Sequence, residues 1–192
     1  MSDKKTLLIF DCFGVVIHCV SEYWMATIPS LKDKKELVNK YMDEGDRGII
    51  STFDQLKLLS SITGEAPEDI FNDFNRLATP IQGTLDFIKK HRHEFKFLML
   101  SNANTGFLDG VLDRFHIRDY FDGIIISSDY KIAKPDKEIF LLAKNYLGEF
   151  DQYIFADDHE ENIVAAEKYG IRGILFTDIN SYEIELKKYL NI

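Results

Sequence analysis

Residues 7–16 of the chain read Leu-Leu-Ile-Phe-Asp-Cys-Phe-Gly-Val-Val, a short apolar run that ends at Asp11 and is followed by Gly14. A continuous apolar run of this length is typical of a strand that is buried on both faces of a parallel sheet. Gly14 allows the backbone to bend sharply after the strand and to approach a ligand. A single Asp after a strand is most often a turn former or a helix cap, so Asp11 alone does not indicate a functional site.

The same kind of apolar run occurs four more times, with stretches between the runs that are long enough for helices. The runs cover residues 7–10, 97–100, 124–126, 153–156 and 173–176. The helical stretches cover residues 84–95, 106–115, 136–147 and 160–169, and Gly170 after the last of them is expected to end that helix. Strands that alternate with helices form parallel sheets. The predicted fold class is therefore α/β, a Rossmann-like parallel sheet with helices on both faces.

The interval 20–80 lacks this alternation, because it contains no convincing strand. Its helical patterns cover residues 34–42, 53–62 and 67–77, and they are separated by Gly45, Gly48, Gly64 and Pro67. We predict that residues 1–19 and 81–192 form a Rossmann-like core and that residues 20–80 form an all-helical insertion. At about 60 residues the insertion is marginal as an independent unit, so we expect it to pack on the core.

The charge and composition of the chain exclude several classes of partner. The 192 residues include 23 Lys and Arg against 32 Asp and Glu, a net charge of −9. A nonspecific grip on nucleic acid or on an anionic membrane needs a basic face, so neither is predicted as a partner. Two cysteines, Cys12 and Cys19, exclude a disulfide scaffold at this length. The apolar segments are too short for a signal peptide or a membrane span, and we predict a soluble, cytoplasmic protein that is a monomer or a small homo-oligomer.

Polar residues follow four of the five apolar runs. These residues are Asp11, then Ser101 and Asn102, then Ser127, Ser128 and Asp129, and finally Asp157 and Asp158. Lys134 comes after the third run, just before a helix that Pro135 and Asp136 could start. In an open parallel sheet the carboxyl ends of the strands meet at one edge, where ligands bind. We therefore expect these side chains to converge at that edge.

Residues 10–16, 100–102, 134–136 and 156–158, taken in this order, resemble the four motifs of the haloacid dehalogenase-like superfamily. The resemblance covers nearly the whole chain. Residues 47–51, 134–140 and 158–163 are similar to the branch with a small helical cap, and most of all to its sugar-phosphate phosphatases. The resemblance implies a catalytic core with an inserted cap. It also implies a Mg²⁺-dependent phosphatase that hydrolyses a small phosphorylated metabolite, similar to a sugar phosphate, through an aspartyl-phosphate intermediate.

The resemblance also implies roles for individual residues. Asp11 would be the nucleophile that attacks phosphorus, and Lys134 would neutralise the charge that the nucleophile shares with the phosphate. Ser101 would bind a phosphoryl oxygen through its hydroxyl, with Asn102 nearby. Ser101 could at the same time cap the helix that follows it.

The Mg²⁺ ligands implied by the resemblance are oxygen atoms. They are a carboxylate oxygen of Asp11, the backbone carbonyl of Phe13, and a carboxylate of Asp158, of Asp157, or of both. Asp158 is the first choice of the pair. Carboxylate and carbonyl oxygens favour Mg²⁺ over softer metals.

The cap would lie over the strand ends and close around the substrate. Candidates for substrate contacts in this interval are Tyr23, Trp24, Tyr41 and Arg47. Aromatic residues in a small helical unit usually form its core, which is the alternative reading of the first three. Arg47 lies in a glycine-flanked turn, from which it could reach a sugar or phosphate oxygen.

Phe13 departs from the family pattern. Hydrolases of the superfamily usually place a second Asp two residues after the nucleophile, where it protonates the leaving oxygen and later activates water. Three alternatives are open: His159 or His18 replaces that Asp, catalysis is slower by roughly 10² to 10⁴-fold, or the protein binds a phosphometabolite with little turnover. A 2-haloacid dehalogenase is a further alternative, since those enzymes carry an aromatic residue here. They use no Mg²⁺, however, and lack an acidic pair such as residues 157–158.

Overall fold

The computed structural model describes residues 4–190, apart from the side chains of Ser30 and Lys32. Within these residues five strands form one sheet in the order β3-β2-β1-β4-β5, and every neighbouring pair is parallel. The strands are β1 (Thr6–Phe10), β2 (Lys96–Ser101), β3 (Gly123–Ile126), β4 (Gln152–Asp157) and β5 (Arg172–Leu175). Each of the five apolar runs forms a strand, so the predicted parallel sheet is confirmed.

Helices cover both faces of the sheet. The helices that follow residue 80 are α5 (Gln82–His91), α6 (Thr105–Arg114), α7 (Ser127–Tyr130), α8 (Lys137–Tyr146), α9 (Glu160–Glu167) and α10 (Ile179–Leu190). Leu8 and Phe10 of β1 pack with α5, α6 and α10 on one face, while Leu7 and Ile9 pack with α8 and α9 on the other. All five residues of β1 are buried, which is why residues 7–10 are continuously apolar. The predicted α/β fold class is confirmed.

Four α-helices lie in the interval 20–80, between β1 and α5. They are α1 (Val20–Thr27), α2 (Lys35–Asp46), α3 (Thr52–Thr63) and α4 (Pro67–Leu77), with a 3₁₀ helix at Pro29–Lys34. The three helices predicted in this interval are present, and α1 is an additional one. Gly45 lies inside α2 instead of ending it, and a Cβ at this position would come within 2.3 Å of the Gln55 side chain. The glycine therefore allows α2 and α3 to pack closely.

The two connections between this helical interval and the rest of the chain lie side by side. The N–H of His18 donates to the carbonyl of Thr79 at 2.9 Å, and the N–H of Ile81 donates to the carbonyl of Val16 at 2.8 Å. The chain therefore leaves and re-enters the sheet region at one place, close to the predicted boundaries at residues 19 and 81. The division into core and cap stays a prediction. Among residues 4–190, no helix has the length and apolar character needed to cross a membrane.

Candidate active site

Asp11 lies at the centre of the carboxyl edge of the sheet. It follows β1, which lies between β2 and β4, and its N–H continues the ladder by donating to the carbonyl of Ala156 at 2.9 Å. A cavity of about 530 Å³ opens at this edge, and its wall includes Asp11, Asn102 and Lys134. Residues that follow three different strands thus converge, as expected for a parallel sheet.

Lys134 joins two carboxylates at the floor of the cavity. Its Nζ lies 2.7 Å from Oδ1 of Asp11 and 2.6 Å from Oδ2 of Asp157, and all three side chains are buried. Burial lowers the pKa of Lys134, but the two carboxylates outweigh burial and the pKa is raised. Burial, together with Asp157 and Asp158, raises the pKa of Asp11 to about 7 although Lys134 opposes the shift. This cluster carries more negative than positive charge, which favours a cation beside it.

Asn102 holds the backbone of Lys134. Its Nδ2 donates to the Lys134 carbonyl at 2.8 Å, and its Oδ1 accepts from the Lys134 N–H at 2.8 Å. Both ends of the side-chain amide are therefore used inside the protein. The predicted contact of Asn102 with substrate stays a prediction, but its observed role is to position Lys134.

Ser101 is fully buried at the end of β2. Its Oγ has no hydrogen-bond partner among the described residues, and the side chain is not part of the cavity wall. The expected capping role is wrong, because the N-cap of α6 is Asn104, whose side chain accepts from the N–H of Gly106. Phosphoryl binding by Ser101 stays a prediction, for which the hydroxyl has an unused donor.

The two neighbouring carboxylates after β4 are used differently. Asp157 is fully buried and accepts from the His159 N–H at 2.8 Å and from Nδ2 of Asn162 at 3.0 and 3.1 Å, in addition to Lys134. Asp158 is partly exposed, with Oδ1 lying 2.8 Å from Nδ1 of His159. The hydrogen bond that Asp158 accepts from the charged imidazole raises the pKa of His159 to about 9. Asp158 is thus the carboxylate with more freedom to bind a ligand.

The donor set at this edge fits a hard divalent cation. Donor atoms of Asp157, Asp158 and His159 all lie within 4.8 Å of one another. No hydrogen bond from the described residues ends on the Phe13 carbonyl, which leaves that oxygen available. Carboxylate and carbonyl oxygens near an excess of negative charge are the ligands that Mg²⁺ prefers. That Asp11, the Phe13 carbonyl and Asp158 would hold the ion stays a prediction, and so does a metal contact of Asp157.

Gly14 sets the distance between the loop after β1 and Asp158. Its φ is +88°, and a Cβ would lie 2.1 Å from Oδ2 of Asp158. In the Gly14→Ala variant the carboxylate must move, and we expect the affinity for Mg²⁺ to fall about 10-fold or more. Isothermal titration with Mg²⁺ would measure this loss.

Gly64 offers the matched control for this substitution. Its φ is +82°, and a Cβ there would have no neighbour within 4 Å. Both alanine variants should lose about 1–2 kcal/mol of stability from the left-handed backbone, but only Gly14→Ala should bind Mg²⁺ more weakly. Equal Mg²⁺ affinity of the two variants would contradict the assignment of Asp158 as a ligand.

Phe13 forms part of an aromatic wall of the cavity. Its ring stacks on Phe107 at a centroid distance of 6.2 Å and an interplanar angle of 10°. Phe71 and Phe74 contact Phe107 edge-on at 6.1 and 5.8 Å. The position that usually carries an acid thus supplies apolar surface next to Asp11, and an apolar group of a ligand can pack there.

Of the four residues predicted to contact substrate from the helical interval, only Arg47 lines the cavity. Trp24 is fully buried and packs edge-on against Phe74, so it belongs to the core of the helical interval. Tyr23 is exposed and Tyr41 is half-buried outside the cavity wall. The prediction is therefore wrong for Trp24, because helix packing buries its ring. For Tyr23 and Tyr41 a contact with substrate stays a prediction.

Arg47 is held by two carboxylates. Its Nε donates to Asp43 at 2.9 Å, and its guanidinium pairs with both oxygens of Asp136. The guanidinium lowers the pKa of Asp136. Asp136 is the N-cap residue of α8 but makes no capping hydrogen bond, since its carboxylate is occupied by Arg47. Arg47 therefore ties the end of α2 to the Lys134 loop, the segment between α7 and α8. A contact of Arg47 with substrate stays a prediction.

Asp46 is a residue of the cavity wall that sequence reasoning misses. It is the last residue of α2, directly before Arg47. The sequence signal that could have found Asp46 is its position, because it is a carboxylate directly before Arg47 in the glycine-flanked turn. His18, by contrast, is exposed and does not line the cavity, so it is poorly placed to replace an acid.

Residues 5–170 match the family of haloacid dehalogenase-like hydrolases, and the chain belongs to this family. It is 28% identical over 179 residues to pyrimidine 5'-nucleotidase YjjG of Escherichia coli (strain K12), over 87% of this chain and 80% of that protein. It is 26% identical over 192 residues to the sesquiterpene phosphatase astK of Aspergillus oryzae (strain ATCC 42149 / RIB 40), over 94% of each. The predicted family and the predicted enzyme class, a hydrolase of this type, are confirmed.

A solved structure supports the fold. The HAD family enzyme from Bacteroides thetaiotaomicron, in complex with magnesium and inorganic phosphate, matches with a TM-score of 0.75 and 24% identity. The match covers 91% of this chain and 94% of that chain. The fold is therefore shared over nearly the whole length of this chain.

Proposed function

We propose that this hydrolase is a Mg²⁺-dependent phosphatase that acts on a small phosphorylated metabolite through an aspartyl-phosphate on Asp11. The observation that carries the proposal is the buried Asp11–Lys134–Asp157 cluster at the floor of the cavity, with Asp158 beside it. Fixed charges of this kind, aimed at a transferring phosphoryl group, are the main catalytic contribution in phosphoryl transfer.

Asp11 is oriented for attack by its own contacts. Its Oδ1 accepts from the Cys12 N–H at 2.6 Å and lies 2.7 Å from Nζ of Lys134. These contacts hold the carboxylate while its other oxygen forms the bond to phosphorus and the ester P–O bond breaks. Water then attacks the phosphorus of the acyl phosphate, which releases inorganic phosphate and restores Asp11. Lys134 offsets the charge of both anions throughout.

A divalent cation held by Asp11, the Phe13 carbonyl and Asp158 would mask phosphate charge when bound. The proposal for Mg²⁺ is supported by the donor set described above. It is also supported by the magnesium and phosphate bound to the enzyme from Bacteroides thetaiotaomicron.

The cavity favours a small substrate. A volume of about 530 Å³ is in the range of small-molecule sites. Polar residues of the wall, such as Asn39 and Arg47, could bind hydroxyl groups, and the aromatic wall could pack against carbon atoms. We propose a phosphomonoester similar to a sugar phosphate, and the two relatives make a nucleotide and a sesquiterpene phosphate the obvious comparisons.

A phosphate-release assay tests the proposal. We expect release from at least one member of a panel of hexose phosphates, nucleoside monophosphates and prenyl phosphates in the presence of Mg²⁺, and loss of this activity with EDTA. Activity that EDTA leaves unchanged would contradict the role of the metal.

Phe13 favours one second candidate, a 2-haloacid dehalogenase, because an aromatic residue stands at this position in those enzymes. That function predicts chloride release from 2-chloropropionate that EDTA does not affect. A third outcome, stabilisation of the fold by phosphate without any turnover, would indicate a phosphometabolite-binding protein.

A further inference from the structure

The chain lacks an acid where its family usually carries one, and the side chain of Phe13 has no proton to give. A side chain that replaces this acid must come from another helix, strand or loop and reach the cavity that Asp11 lines. The ionisable side chains of the cavity wall outside the floor cluster are Cys19, Glu22, Lys35, Asp43, Asp46, Arg47, His159 and Glu161. Most of these are exposed or already paired: Glu22, Lys35 and Glu161 are exposed, Asp43 pairs with Arg47, and His159 pairs with Asp158.

Asp46 differs from these groups. It is half-buried, and it lines the same cavity as Asp11 and Lys134. Its carboxylate makes no hydrogen bond or ion pair with the described residues, and only burial and nearby charges act on it. A carboxyl group in a cavity wall with no partner of its own is free to exchange a proton with a ligand. Its neighbour Asp43, one turn earlier, lacks this freedom because Arg47 holds it.

The backbone around Asp46 is fixed against the loops of the sheet. The hydroxyl of Ser127, directly after β3, donates to the carbonyl of Asp46. Arg47 pairs with Asp136 in the Lys134 loop. Gly48 has φ +62°, and a Cβ there would lie 2.4 Å from the carbonyl oxygen of Ser128. Three successive residues thus contact α7 and the segment between α7 and α8, which holds Asp46 in a constant position relative to Lys134.

The surroundings of Asp46 also give it a suitable proton affinity. Burial, followed by the charges of Asp43 and Asp11, raises the pKa of Asp46 to about 7, while Lys134 and Arg47 act in the opposite direction. A group with a pKa near the working pH is present in both protonation states, as acid–base catalysis requires.

We propose that Asp46 is the general acid and base of this phosphatase and takes the place of the Asp that Phe13 replaces. The inference rests on the proposed function. As Asp11 bonds to phosphorus and the ester P–O bond breaks, the Asp46 carboxyl gives its proton to the leaving oxygen, and an alcohol departs. In the second step the Asp46 carboxylate takes a proton from the water that attacks phosphorus. Inorganic phosphate leaves, and both side chains return to their starting states.

The two steps can be separated with p-nitrophenyl phosphate. Its leaving group needs no protonation, so the Asp46→Asn variant should still release about one p-nitrophenolate per active site in a rapid burst. Steady-state turnover should then fall by about 10² to 10⁴-fold, because water is no longer activated. The phosphoenzyme should accumulate and be seen in the mass of the acid-quenched protein. With an alkyl phosphate the first step also needs the acid, and no burst is expected.

Glu44→Gln is the matched control, because Glu44 lies on the same helix, two residues before Asp46, outside the cavity wall and next to Lys40. Its kinetics should equal those of the wild type. Adding Phe13→Asp to Asp46→Asn should restore part of the turnover, since this places a carboxyl at the usual family position. Melting temperatures of all variants show whether each is folded.

Two results would overturn the role of Asp46: steady-state turnover of folded Asp46→Asn within about 3-fold of wild type, or loss of burst and turnover together with p-nitrophenyl phosphate. The proposed function itself fails in a different way. In that case the wild type shows neither turnover nor a phosphoenzyme with any substrate, and this inference falls with it.

Discussion

Replacing Asp11 by Asn should lower phosphate release by at least about 10⁴-fold, the size of loss seen when a catalytic nucleophile is removed. The amide has nearly the shape of the carboxylate but does not attack phosphorus, so no aspartyl-phosphate forms. Steady-state phosphate release and the mass of the acid-quenched protein measure both consequences. We expect no mass increase for the variant under conditions in which the wild type gains one phosphoryl group.

The control for this substitution lies at the opposite edge of the same sheet. Asp151 precedes β4 and accepts from the N–H of Lys5 at 2.8 Å. Asp151→Asn removes a carboxylate of the same type far from the cavity and should leave the rate unchanged. Phosphate release by Asp11→Asn at more than a tenth of the wild-type rate would show that Asp11 is not the nucleophile.

Removing Lys134 should have the largest effect on stability. In Lys134→Ala two buried carboxylates, Asp11 and Asp157, lose the cation that lies 2.7 and 2.6 Å from them. Breaking a buried ion pair in this way costs about 3–5 kcal/mol. Phosphate release should fall as well, because the charge shared between Asp11 and the phosphate is no longer offset. Urea unfolding of the metal-free protein measures the loss of stability.

The loss of stability in Lys134→Ala should depend on pH. The pKa of Asp11 in the folded protein is about 7, raised from 3.8, so the folded state holds this proton more firmly than the unfolded state. Its ionised form therefore destabilises the fold. This destabilisation is complete above about pH 7, decreases as pH falls, and is lost only below 3.8, the pKa of the unfolded chain. We expect Lys134→Ala to lose more stability at about pH 8 than at about pH 5. An equal loss at both values would contradict the charge argument.

An exposed ion pair provides the comparison. Lys188 lies 2.5 Å from Glu185 on the surface of α10, and both side chains are largely exposed. Lys188→Ala should cost at most about 1 kcal/mol. Adding Asp157→Asn to Lys134→Ala should recover part of the loss, because one buried carboxylate is then neutral.

The sheet is predictable from sequence because its strands are buried on both faces. Such strands must be continuously apolar, and five short apolar runs identify all five strands. Helices α1 and α10 are not predicted, because each buries only two residues four positions apart, Val20 and Trp24 in α1 and Tyr182 and Leu186 in α10. One such pair is too short a pattern to distinguish a helix from a loop.

The candidate site is predictable to a similar extent. The order of the motifs indicates that Asp11, Lys134, Asp157 and Asp158 belong to one site. The carboxyl ends of parallel strands share one edge, so residues directly after the strands come together whatever the details of packing. The aromatic candidate Trp24 is wrong because helix–helix packing, which no local pattern records, buries its ring against Phe74.

The sequence by itself thus determined the α/β sheet, the family, and the set of charged residues at the strand ends. Only the tertiary structure decided what each residue does there: Asn102 positions Lys134, Asp157 is fully hydrogen-bonded while Asp158 is freer, and Asp46 reaches the cavity. Hydrogen bonds and ion pairs act over about 3 Å, yet they join residues far apart in sequence. Ser127 and Asp46 are separated by 81 positions, and Arg47 and Asp136 by 89. Composition and spacing specify which groups are present, whereas their partners depend on how the folded elements pack.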